Sequence, residues 1–404
     1  MKKMLIVEDD QIVGNIYRHK FQVEGFQVAL ATDGEAGLIA VKEIKPDVVI
    51  LDLMLPKLNG VEILKKMRAE PTTKSIPVIV LSNAYLSSLV QEAWKAGANH
   101  CMIKASCTPK QLVDLVNRTL GAPPAAQAPA PDPALPKSAQ APAATSAKKP
   151  RPPGSLEDDT AFQTELRQTF LRSAPDHVAQ LRGMLQAFIK SEGDTARLPR
   201  LFTLYRQVHS LTSNSAVAGL TSVAKMSSAL EALLKELYEK PKNLNASTMR
   251  TVAHTIDFLA VLLEHRGTQD PESFSPPNIM VVDDEAISRR AVIYALEKAN
   301  LKCVSVEDPK TALTMLAENR FDLIFLDVDM PGMSGFELCA KLRVLPAHAR
   351  TPVVFVTGLT DFESRARSTL SGGNDLIAKP FLFMELAVKS LTLILKSQLR
   401  ITGH

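Results

Sequence analysis

Two kinds of hydrophobic pattern alternate along the chain. Short apolar runs, Met4 to Val7, Val48 to Leu51 and Pro77 to Leu81, are separated by stretches of helical periodicity such as Val61 to Arg68. Strands alternating with helices predict a parallel sheet. The same plan returns further along, with Ile279 to Val282, Leu323 to Leu326 and Pro352 to Val356 as strands and Leu382 to Leu395 as a closing helix. Between the two lies a different pattern. Phe162, Leu166 and Phe170 begin a three-and-four spacing that continues through Val178, Leu181, Leu185 and Phe188. Amphipathic segments follow over Leu198 to Val217, Leu220 to Tyr238 and Ser247 to Leu263, with no strand-like stretch among them. Short connections between such helices predict an antiparallel bundle.

Two breaks in composition set the boundaries. Ala and Pro alternate across residues 122 to 155, a stretch that includes Lys148-Lys149-Pro150-Arg151 and reads as a solvated, semi-stiff linker. A shorter break, rich in Pro, Ser, Asp and Glu, covers 269 to 277. The expected organisation is an α/β domain over 1–121, a linker over 122–155, a helical bundle over 156–268, a linker over 269–277 and a second α/β domain over 278–400. The fold class is therefore multidomain, two doubly wound α/β sheets flanking an all-α bundle.

Composition narrows the function. Of 404 residues, 46% are apolar, which excludes wholesale disorder, and a net charge of +4 points to neither nucleic acid nor membrane as partner. No separate basic helical domain follows either α/β segment, so no nucleic-acid reader is expected. The four cysteines, Cys101, Cys107, Cys303 and Cys339, show no CxxC spacing and suit a reducing compartment, so a cytoplasmic protein is expected. No apolar run approaches the roughly 20 residues of a membrane span, and Met1-Lys2-Lys3 leads into acidic Glu8-Asp9-Asp10 where a signal peptide would stay apolar. No GxxxxGK[ST] run or glycine-rich nucleotide loop is present, so a kinase or other ATP-using enzyme is not expected.

Five polar positions recur in both α/β segments: Glu8, Asp9, Asp52, Ser82 and Lys104 in the first, and Asp283, Asp284, Asp327, Thr357 and Lys379 in the second. The spacings from Asp9 to Asp52, Ser82 and Lys104 are successively 43, 30 and 22 residues, and those from Asp284 to Asp327, Thr357 and Lys379 are the same. This is an internal duplication. Each residue sits at the end of an apolar run, the edge of an open parallel sheet where ligand sites form. Three carboxylates converging there repel one another unless a cation neutralises them, and hard oxygen donors in that number suit Mg²⁺. One carboxylate can then attack a phosphoryl donor to give an aspartyl phosphate. The metal and an ammonium spread the charge that develops on the equatorial oxygens, and the hydroxyl of Ser82 or Thr357 holds another oxygen.

The runs LIVEDD (Leu5 to Asp10), LDLMLPKLNG (Leu51 to Gly60) and VLSN (Val80 to Asn83) resemble the response-regulator receiver domain. So do VVDDE (Val281 to Glu285), LDVDMPGMSG (Leu326 to Gly335), VTG (Val356 to Gly358) and Lys379-Pro380 in the second copy. The resemblance implies two flavodoxin-like domains, each a five-stranded parallel sheet wrapped by five helices. It implies Asp52 and Asp327 as phosphoacceptors, Glu8, Asp9, Asp283 and Asp284 as further Mg²⁺ ligands, and Lys104 and Lys379 on the phosphoryl group. Three departures stand out. Cys101 and Leu376 replace the aromatic that moves inward on phosphorylation. Ala105 replaces the proline after the first lysine, which predicts a looser Lys104. Two residues past the acceptors, at a position that the family uses to tune phosphoryl lifetime, Met54 stands in the first copy and Asp329 in the second, which predicts unequal dephosphorylation rates.

In the helical segment the helix Leu198 to Val217 places Leu201, Leu204, Tyr205 and Val208 on one stripe and leaves His209 on its flank, which predicts a solvent-facing imidazole. Such a group can carry a phosphoryl group to and from an aspartate. The run VHSLTSNSAVAGL (Val208 to Leu220), followed by ALEALLKELYE, resembles the histidine phosphotransfer (HPt) domain, and His209 aligns with its phosphorylated histidine. Thr212 and Ser213 stand where that family has a cation and a glycine. The expectation is a phosphorelay protein phosphorylated by a sensor histidine kinase or other phosphodonor, with an intramolecular contact between receiver and HPt and with output through effector proteins. The alternative is a phosphorylation-gated adaptor whose bundle only binds partners or dimerises.

Overall fold

The computed structural model describes residues 1–82, 88–104, 107–121, 155–191, 193–264, 276–299, 301–358 and 371–398. The first linker up to residue 154, most of the second and Ala105 lie outside them. In the first α/β domain the order is β1 (Lys3–Val7), α1 (Gln11–Val23), β2 (Gln27–Ala31), α2 (Gly34–Ile44), β3 (Val48–Asp52), α3 (Gly60–Ala69), β4 (Val78–Ser82), α4 (Ser88–Lys95), β5 (His100–Ile103) and α5 (Pro109–Gly121). Every strand pairing is parallel, in the spatial order β2-β1-β3-β4-β5. That is the flavodoxin-like order, with its crevice at the switch point between β1 and β3. Register sets Val7 beside Leu51 and Asp52 beside Leu81, so the strands end together at one edge.

The central strands β3 and β4 are buried along their whole length, which is why they read as unbroken apolar runs. One face of the sheet packs Leu5, Val7, Val49 and Leu51 under α2 and α3. The other packs Met4, Ile6, Ile50 and Leu81 against Tyr17 and Phe21 of α1 and Leu112 of α5.

The helical segment consists of α6 (Ser155–Ile189), α7 (Asp194–Val217), α8 (Thr221–Glu239) and α9 (Ala246–Glu264), as the periodicity predicts. Leu201, Leu204 and Val208 of α7 are buried, as are Val223, Leu230, Leu233 and Leu234 of α8 and Ile256 and Leu259 of α9. At the surface, Arg182 of α6 reaches Asp257 of α9 at 2.9 Å. Among the described residues no helix is long and apolar enough to cross a membrane.

The second α/β domain repeats the first: β6 (Ile279–Val282), α10 (Ala286–Lys298), β7 (Cys303–Val306), α11 (Pro309–Glu318), β8 (Leu323–Asp327), α12 (Gly335–Val344), β9 (Val353–Thr357), β10 (Asp375–Ala378) and α13 (Phe383–Gln398). Its sheet runs β7-β6-β8-β9-β10, again all parallel. Four helices flank it among the described residues, and 359–370, where a fifth is expected, lie outside them. Helix α13 is buried nearly all round because α10 covers one side and α8 and α9 of the bundle cover another. Glu385 on it is buried and accepts from the hydroxyls of Ser247, at 2.6 Å, and Thr251, at 3.1 Å.

Candidate phosphoryl-acceptor edges and the histidine of the bundle

Both sheets bring their recurring polar residues to the ends of the same strands. Glu8 and Asp9 follow β1, Asp52 closes β3, Ser82 closes β4 and Lys104 follows β5; Asp283, Asp284, Asp327, Thr357 and Lys379 hold the corresponding places in the second domain. The loop after each central strand is drawn tight by a glycine. A Cβ on Gly60 would stand 2.2 Å from the carbonyl oxygen of Asp52, and one on Gly335 would stand 2.0 Å from that of Asp327, so only glycine lets these loops close. A capping box then fixes each following helix, Asn59 with Glu62 and Ser334 with Glu337.

The two edges differ in their charge contacts. In the first domain Lys104 is fully buried and its Nζ donates to Glu8 Oε2 and Asp52 Oδ2, both at 2.6 Å. Burial opposes the ammonium, but attraction to Asp52 and Glu8 and the hydrogen bonds to both outweigh it and hold Lys104 above the ordinary lysine value. The sequence predicted a looser lysine where Ala105 replaces proline. The structure shows a tight one, because two buried carboxylates clamp it. In the second domain Lys379 Nζ donates to Asp327 Oδ1 at 3.0 Å and to Asp283 Oδ2 at 3.2 Å. Burial again acts against its charge, and the Asp327 and Asp283 contacts again raise it. Burial pushes the Asp327 carboxyl above the usual aspartate range despite the lysine beside it.

The carboxylates test the expected metal. Asp283, Asp284 and Asp327 bring oxygen atoms within 4.8 Å of one another, with Asp284 exposed and the other two buried. A set of hard oxygen donors open on one side fits Mg²⁺, which keeps several waters. In the first domain Asp9 and Asp52 come equally close to one another. Glu8, expected beside them as a ligand, has its Oε2 on Lys104, as Asp283 has its Oδ2 on Lys379. Ser82 and Thr357 are buried at the ends of their strands. Cys101 and Leu376 stand in β5 and β10, both partly buried against the cores of their domains.

His209 departs from expectation. Its side chain is 7% exposed, with Nδ1 2.9 Å from Glu231 Oε1 of α8 and the Tyr205 ring one turn earlier. The helical wheel of α7 alone placed His209 on a solvent-facing flank, but α8 packs along that flank. Glu231, which the sequence reading missed, is buried with Oε1 at hydrogen-bond distance from Nδ1, so a ring protonated at Nδ1 would donate to it and keep Nε2 as the basic nitrogen. Thr212 and Ser213, in place of a cation and a glycine, are both buried, and the Thr212 hydroxyl donates back to Val208 O at 2.9 Å.

Comparison with known proteins finds two sequence families along the chain. The response regulator receiver domain matches residues 4–117 and 279–390, more than half of the chain. The chain belongs to the response regulator receiver family. An Hpt domain matches residues 165–270, so two receiver domains flank an Hpt domain. Receivers and Hpt domains are phosphoacceptor and phosphotransfer modules. Among curated relatives, Protein RcaC of Microchaete diplosiphon is 36% identical over 119 residues, 30% of this chain and 18% of that protein. The phosphate regulon transcriptional regulatory protein PhoB of Pseudomonas aeruginosa is 34% identical over 125 residues, 31% of this chain and 52% of that protein. The chain thus spans about half or less of these relatives' own length. Among solved structures, the chemotaxis protein CheY4 of Vibrio cholerae is 29% identical, with a TM-score of 0.28, over 30% of this chain and 99% of that one.

Proposed function

We propose that Asp52 and Asp327 accept phosphoryl groups in a Mg²⁺-dependent reaction and that His209 exchanges phosphoryl groups with such aspartates. The observation that carries this reading is the doubled edge, in which Lys104 and Lys379 each lie within 3.2 Å of the candidate acceptor and of one further carboxylate. Glu8, Asp9 and Asp52 would hold Mg²⁺ in the first receiver, and Asp283, Asp284 and Asp327 in the second. Bound there, Mg²⁺ would screen the carboxylates and draw charge from the phosphoryl oxygens. A carboxylate oxygen of Asp52 or Asp327 attacks phosphorus, the bond to the donor's leaving oxygen or nitrogen breaks, and the lysine and the Ser82 or Thr357 hydroxyl take up charge on the transferred group. In the bundle, Glu231 holds the Nδ1–H of His209 so that Nε2 is the nucleophile.

On this reading the chain is a cytoplasmic phosphoacceptor and carrier. A sensor histidine kinase or another phosphodonor charges a receiver, and output passes to effector proteins. The linker over 122–155, semi-extended at up to about 3 Å per residue, would allow a receiver to meet His209 of its own chain. A second reading, the phosphorylation-gated adaptor, is favoured by one observation: Thr212 supplies no cation beside His209 and spends its hydroxyl on the helix backbone.

Labelling the full chain from acetyl phosphate or a phosphorylated kinase separates the two readings. Base-labile label is expected on Asp52 and Asp327, lost in Asp52→Asn with Asp327→Asn, together with acid-labile label on His209, lost in His209→Ala. Base-labile label without any acid-labile fraction would leave the adaptor reading, and no Mg²⁺-dependent label at all would overturn both.

A further inference from the structure

Away from the acidic edges, the bundle and the second receiver line a shared cleft of about 400 Å³. Helix α9 contributes Arg250 and His254, four residues apart and so on one face, and α13 contributes Lys389 and Lys396, seven apart and likewise on one face. Asn374 and Asp375, at the start of β10, close the end. Three cationic side chains and a histidine therefore line a space that holds one carboxylate.

The charges are unevenly satisfied. Lys389 pairs with Asp375 at 2.9 Å and lies 3.9 Å from Glu385. Among the described residues no carboxylate lies within ion-pair distance of Arg250, His254 or Lys396, and Lys396 instead stands over the Phe258 ring, 5.4 Å from its centre. Asn374 spends its carbonyl oxygen on Val353 N and Arg343. Arg250 and His254 are exposed at the mouth of the cleft and Lys396 is half-buried. Arg250 and Lys396 thus place two cations with no carboxylate partner among the described residues beside one concave, largely polar space, and an anion there relieves their positive potential. A guanidinium fork beside an ammonium suits the oxygens of a phosphate group, and the volume falls within the range of small-molecule sites.

We propose that this cleft binds a small phosphate-bearing anion of up to nucleotide size, held by Arg250 of the bundle and Lys396 of the second receiver with His254 and Lys389 beside them. Such a ligand touches both domains at once, so its binding favours their packed arrangement through α9 and α13.

The test is calorimetric titration of the full chain with inorganic pyrophosphate and, separately, ADP, at a fixed ionic strength of about 0.15 M so that loose surface attraction is screened. Mg²⁺ is left out, because the metal-free acidic edges then repel either probe and the result does not depend on the phosphoacceptor reading. Saturable binding of at least one probe is expected, weakened about tenfold or more in Arg250→Gln with Lys396→Gln and unchanged in Lys242→Gln, an exposed lysine outside the cleft. If the double variant does not fold, as judged by circular dichroism, the two single variants replace it, each expected to weaken binding about threefold or more. No saturable binding of either probe, or binding that ignores the substitutions, overturns the proposal.

Discussion

The Nζ of Lys104 lies 2.6 Å from Oδ2 of Asp52 and the same distance from Oε2 of Glu8, with no part of the lysine side chain exposed. Its counterpart Lys379 keeps longer contacts, 3.0 Å to Asp327 and 3.2 Å to Asp283, and is 21% exposed. Removing Lys104 therefore leaves two buried carboxylates without their shared cation, a change that costs about 3–5 kcal/mol when a buried pair is broken. Lys104→Ala is expected to lower the urea midpoint of the first receiver, and Lys379→Ala to lower that of the second by less. The only tryptophan, Trp94, lies in α4 of the first receiver, so its fluorescence reports that domain. An unchanged midpoint for Lys104→Ala would mean that the triad carries no stability.

Asp284 separates metal binding from folding because it is exposed while Asp283 and Asp327 are buried. Asp284→Asn is expected to change metal-free stability by no more than about 0.5 kcal/mol, as surface substitutions do. If the second receiver binds Mg²⁺ as proposed, the metal raises its melting temperature and the same substitution is expected to reduce that rise. An undiminished Mg²⁺ response would remove Asp284 from the ligand set.

A second duplicated device braces each sheet from the side. Arg68 donates to the carbonyls of Gly97 and Ile76 and to Asn99 Oδ1. Arg343 donates to the carbonyls of Gly372, His348 and Thr351 and to Asn374 Oδ1. Each guanidinium ties its third helix to the turn before the last strand. Hydrogen bonds from a charged donor are worth roughly 1.5–3 kcal/mol each, and the carbonyls left behind are partly buried, so Arg343→Ala is expected to cost at least about 2 kcal/mol. Arg343→Lys should rescue little, because an ammonium cannot span a forked set of acceptors. Full recovery by lysine in thermal unfolding would argue against the brace.

How much of this was legible depends on what each residue does. The strands β1, β3 and β4, and their counterparts β6, β8 and β9, announce themselves because both faces are covered and nearly every position is apolar. The edge strands β2 and β7 have largely part-exposed or exposed residues, and β5 and β10 are half-exposed, so no buried run marks them. The ten polar residues of the acidic edges were found through their repeated spacing. The same signal was available for the brace, since 275 residues separate Arg68 from Arg343, Gly97 from Gly372 and Asn99 from Asn374. Glu231 carries no such mark, being one acid in an amphipathic helix, and its role exists only once α8 lies against α7.

The cysteines should be poor nucleophiles. Burial pushes the Cys101 thiol up to about 12 and the Cys107 and Cys303 thiols up to about 11, the last with help from Glu297. A raised thiol pKa means less thiolate at any given pH, on the order of one in a thousand at pH 8 for a value near 11, rising tenfold with each unit toward the pKa. Alkylation by iodoacetamide at pH 8 is expected to be slow in the folded chain and complete at all four cysteines in urea, as mass spectrometry would read. Fast modification of native Cys101 would contradict the burial seen here.

Glu231 bears on the chemistry of the bundle through one contact, its Oε1 2.9 Å from Nδ1 of His209. An imidazole has two tautomers, and only the one protonated at Nδ1 presents a basic Nε2 to a phosphoryl donor. If His209 carries the phosphoryl group as proposed, the carboxylate favours that tautomer, holds the ring in place and stabilises the positive charge that grows on the imidazole as the new N–P bond forms. Glu231→Ala removes all three effects and should slow phosphorylation of His209 by roughly tenfold to a hundredfold, by analogy with the loss of a group that orients a metal-bound histidine. Glu231→Gln keeps the size and the hydrogen bond but not the charge, so it should fall between alanine and wild type, and its deficit should be smaller if orientation dominates. A purely structural glutamate would give a different result, with labelling restored wherever the variant regains its melting temperature. Equal labelling rates in wild type and Glu231→Ala, measured on folded protein with a phosphorylated receiver as donor, would remove Glu231 from the phosphotransfer site.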